Sequence, residues 1–81
     1  DYKIIIETLN NLINNLKMVI NSNNNDFIED IILCIDKLCT TILNELNSID
    51  KKKILKNINN LDFTKISLRL KFKIIDLKEK L

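Results

Sequence analysis

Apolar residues recur at helical spacing along most of this chain. Ile5, Leu9, Leu12, Ile13, Leu16 and Ile20 fall three and four apart on one face, with Asn10, Asn11, Asn14 and Asn15 on the other. That period predicts an amphipathic helix over about 3–20. The run Asn21-Ser22-Asn23-Asn24-Asn25 then breaks the pattern. Asparagine tolerates left-handed backbone and competes for local hydrogen bonds, so it is expected to stand in for glycine at this turn. The following stretch, Asp26 to Leu46, is apolar around most of its girth. Its polar positions (Glu29, Asp30, Asp36, Lys37, Thr40, Thr41, Asn44, Glu45) form a narrow stripe. Such a helix is packed on several sides, which makes 26–47 the predicted spine of the molecule.

Cap signals divide the rest. Asn25 or Asp26 is the expected N-cap of the spine, and Asp26 and Glu29 have capping-box spacing. Acids in this first turn suit the helix dipole, which accounts for Asp26, Glu29 and Asp30 without catalysis. Ser48 or Asp50 should cap a short helix over about 50–60, with Ile54, Leu55, Ile58 and Leu61 as its buried edge. Asp62 is the expected cap of a last helix over about 63–80.

That last segment carries two signals. Ile66, Leu68, Leu70, Phe72 and Ile74 alternate with polar residues like a half-buried strand. On a helix, Phe63, Ile66, Leu70, Ile74, Leu77 and Leu81 share one side, and Leu68, Phe72 and Ile75 lie opposite. No other stretch alternates, so a strand here lacks a partner, and the helix is preferred. Two apolar faces suit a helix sandwiched between layers, and Phe27 and Phe72 are expected in the core. The predicted fold is therefore all-α: two antiparallel helical hairpins of about forty residues each, the length of a HEAT-type repeat.

Composition narrows the classes further. At 81 residues the chain is a single small domain, with neither Gly nor Pro. Tight primed hairpin turns lean on Gly, so a β-sandwich or barrel is not expected, and Gly-rich phosphate loops are excluded. No cationic-then-apolar leader precedes the first helix, and no run of 18 apolar residues occurs, so neither a signal peptide nor a membrane span is expected. The start at Asp1, without Met, is expected to be a cut within a longer protein. There is no His, and the two cysteines, Cys34 and Cys39, lie five apart on one predicted helix. Five helical residues rise about 7.5 Å and turn about 140°, too far around for a disulfide. Both are expected to be buried thiols that resist alkylation, in a reducing compartment. No metal site, cofactor or active site is expected, and the chain is read as a non-enzyme.

The net charge of +2 hides a polarity. Residues 1–50 hold three lysines against eight acids, a net −5, and residues 51–81 hold ten basic residues against three acids, a net +7. Lys65, Arg69, Lys73 and Lys80 recur along one side of the last predicted helix. Like charges four apart repel by a few tenths of a kcal/mol, so this row is a candidate for phosphate or an acidic partner rather than a helix-stabilising device. Asp76 is expected to pair with Lys80. Lys51, Lys52 and Lys53 form a second basic candidate, set just beyond the negative end of the spine helix. With no aromatic residue interleaved, either cluster would touch an RNA backbone without reading its sequence. The alternative is a solvated lysine surface.

Two stretches resemble the middle domain of the eukaryotic translation initiation factor four gamma family, a HEAT-repeat scaffold. Cys34-Ile35-Asp36-Lys37-Leu38-Cys39-Thr40-Thr41-Ile42, followed by Glu45-Leu46, is similar to the family's Cys, aliphatic and basic segment ahead of Thr-Thr-Ile. Ile66-Ser67-Leu68-Arg69-Leu70-Lys71-Phe72, continuing to Asp76, is similar to the Ser-Arg-aliphatic-Arg-Phe run that starts the family's last helix. The chain departs from the pattern at Leu43, Leu68 and Lys73. The resemblance implies the C-terminal portion of a larger HEAT domain, cytoplasmic, binding a DEAD-box RNA helicase, other initiation factors and RNA, with no active site of its own. The competing expectation is a free-standing four-helix bundle that self-associates.

Overall fold

The computed structural model describes residues 2–81, and they form four helices: α1 (Tyr2–Val19), α2 (Asn25–Ile42), α3 (Ser48–Asn59) and α4 (Leu68–Lys80). No strand occurs among the described residues. The alternating run of the last segment is thus helical from Leu68 onward.

Side-chain caps set the boundaries. Asn24, one residue ahead of the expected positions, accepts the Phe27 backbone N–H at 3.2 Å and starts α2. Asn47 accepts the Asp50 N–H at 2.8 Å and starts α3, where Ser48 or Asp50 was expected. Its backbone is extended (φ −79°, ψ 167°), and α2 stops at Ile42 rather than near 47. Ser67 accepts the Leu70 N–H at 3.3 Å and starts α4. Asp62, the expected cap, instead accepts the Thr64 N–H at 3.0 Å in the loop, and α4 begins five residues later than expected. Each cap satisfies one of the orphan donors at a helix start. The expected left-handed asparagine is corrected as well: among the described residues none has positive φ. The asparagines serve the turns through their side chains.

α1 packs closely on α2, α2 on α4 and α1 on α3, an arrangement consistent with two helical hairpins, α1–α2 and α3–α4. The hairpins stack with equivalent helices side by side. Tyr2 reaches Asp50, and further along α1 the residues Asn14 and Lys17 face Asn57 and Asn60, so α1 and α3 run parallel. Glu29 meets Arg69 and Asp36 meets Lys80, so α2 and α4 run parallel too. The result is two layers, α1 with α3 and α2 with α4, closed on one core. That core takes Leu9 and Leu16 from α1, Ile28, Ile32 and Ile35 from α2, Ile54 and Ile58 from α3, and Leu70, Ile74 and Leu77 from α4. No side-chain polar atom is left buried and unsatisfied among the described residues.

The spine expectation holds in part. α2 lies between α1 and α4, and its third side faces solvent with Phe27, Cys34, Lys37 and Thr41. Phe27 and Phe72, expected in the core, are 47% and 57% exposed. The helical period forces this: Phe72 lies two positions from Leu70 and Ile74, about 200° around the axis, so α4 cannot bury both sets against one neighbour.

Candidate interaction surface

The expected basic row divides when placed on α4. The Arg69 guanidinium straddles Glu29, with Nη1 2.9 Å from Oε1 and Nη2 on Oε2, a bidentate pair across the α2–α4 seam. Lys80 Nζ donates to Asp36 Oδ1 at 2.8 Å and to Thr40 Oγ1 at 3.4 Å, so it pairs across the seam with α2 rather than with Asp76 on its own helix. The hydrogen bond to Asp36 raises the Lys80 pKa above its ordinary 10.5, with Asp76 adding to the same field. Lys73 is half-buried in a small cleft of about 90 Å³ with Leu33, Asp36 and Asp76. Lys65 is exposed in the loop before α4. Three of the four residues therefore line a joint between hairpins. The repulsion within the row is relieved by acids supplied from α2, forty residues away in sequence.

The second basic candidate remains on the outside. Lys52 and Lys53 are exposed in the first half of α3, and Lys51 is half-buried beside them. No aromatic contact involves them among the described residues.

The structure brings together a third surface, on the outer side of α4. Leu68, Phe72 and Ile75 lie at i, i+4 and i+7 and are 66%, 57% and 48% exposed. The sequence reading placed these three on one face but expected a layer to cover them. Beside them runs a shallow groove of about 230 Å³ lined by Phe63, Lys71, Ile74, Ile75 and Lys78. Lys78 Nζ stands 5.6 Å from the centroid of the Phe63 ring, within cation–π range, which holds the ring as the groove's wall. The signal for Lys71 and Lys78 was in the sequence: they are seven apart, and therefore share a face that the Arg69 row does not.

Chemistry-bearing clusters are absent among the described residues: no group of three His, Cys, Asp or Glu side chains is placed to hold a metal. Cys39 is buried, and burial, with Asp36 nearby, pushes its thiol up to about 11, so it is protonated at neutral pH. Cys34 is exposed, which corrects the expectation that both thiols are shielded. A larger hollow of about 440 Å³ lies between α1 and the start of α3, where the Tyr2 hydroxyl donates to Asp50 Oδ2 at 2.5 Å. No described helix is long and apolar enough to cross a membrane.

These features define the class as an all-helical, two-layer pair of hairpins with an uncovered apolar helix face. No family model, curated protein or solved structure matches the chain.

Proposed function

We propose that this chain is a non-enzymatic scaffold of the HEAT type that acts in translation initiation in the cytoplasm, docking a DEAD-box RNA helicase and other initiation factors. The observation that carries the reading is the parallel stacking of α1 on α3 and of α2 on α4. Helical repeats extend in this way, each hairpin leaving a face for the next element or for a partner. The Thr-Thr-Ile step lies at the end of α2, and Ser67 caps α4 at the head of the Ser-Leu-Arg run. A scaffold of this kind acts by holding one arrangement of the helicase lobes more tightly than another. RNA contact falls to Lys51, Lys52, Lys53 and Lys65, since Arg69 and Lys80 are engaged across the seam.

The test is a pull-down with this chain as bait against a purified DEAD-box helicase, with and without RNA, followed by helicase ATPase measurement. Co-purification with altered ATPase supports the reading; a helicase and RNA that both wash through at low salt overturn it. A second reading, self-association as a free-standing bundle, is favoured by the exposure of Leu68, Phe72 and Ile75. Sedimentation equilibrium separates the two: that reading requires a dimer.

A further inference from the structure

We infer that the outer face of α4 is a docking surface for an acidic amphipathic helix. The inference rests on the reading of this chain as a binding scaffold, but not on the helicase as its partner. Leu68, Phe72 and Ile75 have the i, i+4, i+7 spacing with which one helix grips another in a groove. On the side of this stripe away from α2 stand Lys71 and Lys78, neither in an ion pair among the described residues, while Glu79 lies on the stripe itself at its C-terminal end. The side toward α2 is already neutralised, because Arg69 and Lys80 take up Glu29 and Asp36. A partner lying along the stripe thus meets uncompensated positive charge on its outer flank, and the groove beside Phe63 receives one of its apolar side chains.

Charge decides between this occupant and a second copy. In an antiparallel two-fold pairing of α4 with itself, like flanks face each other, so Lys71 and Lys78 of one copy would meet the same lysines of the other. Such juxtaposition is repulsive, whereas glutamates on a partner helix would meet the lysines favourably. The second hairpin as a whole points the same way: residues 48–81 hold ten basic residues against four acids.

The experiment titrates the full chain with an amphipathic peptide of about 18 residues, leucines on one face and glutamates on both flanks, and with a matched peptide carrying lysine for glutamate. Amide shifts map the site, and anisotropy gives the affinity. The glutamate peptide is expected to bind about tenfold more tightly than the lysine peptide, with shifts centred on α4 and affinity falling between about 50 and about 300 mM salt. Phe72→Ala should reduce binding while circular dichroism stays unchanged, because the ring is more than half exposed. Lys71→Glu with Lys78→Glu should reverse the peptide preference. Absent binding, equal affinities, shifts away from α4, displacement of the peptide by polyuridylate, or a concentration-dependent dimer with Phe72 in its interface would each overturn the assignment. A helicase pull-down that fails while the glutamate peptide binds removes the translation reading and leaves this surface standing; the opposite pair of results does the reverse.

Discussion

At the scale of single residues, asparagine carries the information that glycine and proline carry in other chains. Asn24 and Asn47 each place a side-chain oxygen on the backbone N–H three residues on, fixing where α2 and α3 begin. Replacing Asn47 by alanine leaves that donor unpaired at the start of a twelve-residue helix, a loss of about 1 kcal/mol. For a domain of this size that lowers the melting temperature by about 4–8 °C, measurable by circular dichroism, and Asn47→Asp should recover most of it. The two cysteines separate just as sharply. Cys39 is buried on the core side of α2, and its thiol is held protonated; Cys34, 140° around the axis, faces solvent. Native alkylation followed by mass spectrometry should modify Cys34 alone, and Cys39 should react only after unfolding. Both were expected to be buried because α2 reads as apolar around most of its girth; one of its sides in fact faces solvent, and Cys34 lies there.

Among the elements, α4 shows how far a sequence can be read and where reading stops. Its helical state was legible, since the strand-like alternation had no partner, and its two apolar faces were legible from spacing. Which face would be covered was not, because that depends on α2 arriving from forty residues upstream. α2 brings Glu29 and Asp36 to the Arg69 and Lys80 side, and the core takes Leu70, Ile74 and Leu77; nothing reaches Leu68, Phe72 and Ile75. The basic row was read as electrostatically incomplete on its own helix, and two of its members, Arg69 and Lys80, find their acids on α2. The late start of α4 has a similarly local cause, since Asp62 and Ser67 both satisfy backbone donors and two capping residues competed for one helix. The seam pairing is testable by charge exchange. Arg69→Glu places two carboxylates together, and Glu29→Arg places two cations together. Each single change should cost about 0.2–1 kcal/mol in urea unfolding, since Arg69 is largely exposed, and the double exchange should restore most of that loss. Loss without recovery would show that the pair contributes packing of the long side chains rather than charge.

For the molecule as a whole, the two hairpins share one core and do not behave as separate units. Leucines and isoleucines of all four helices form a single buried cluster, and the radius of gyration, 12.0 Å, matches the roughly 12 Å expected of a compact chain this long. Around the core, polar contacts tie the hairpins: Tyr2 to Asp50 between α1 and α3, and Arg69 to Glu29 and Lys80 to Asp36 and Thr40 between α2 and α4. Two of these ties titrate at high pH. Tyr2 ionises above its ordinary 10.0, chiefly because its hydroxyl donates to Asp50 and secondarily through burial. Lys80 loses its proton above its ordinary 10.5, chiefly because Asp36 accepts from it. A raised folded-state pKa means that the protonated form is bound more tightly in the folded chain than in the unfolded one. The stabilisation is therefore complete below about pH 10 and disappears as pH climbs through the raised values. The urea midpoint should be nearly level from neutral pH to about 10 and fall beyond it as both ties are lost. Tyr2→Phe combined with Lys80→Met should be less stable at neutral pH yet decline less steeply above 10. The remaining lysines lose charge in both proteins, so the difference between the two curves isolates the ties. Parallel curves would place the alkaline sensitivity in general charge loss and leave the shared apolar core as what holds the hairpins together.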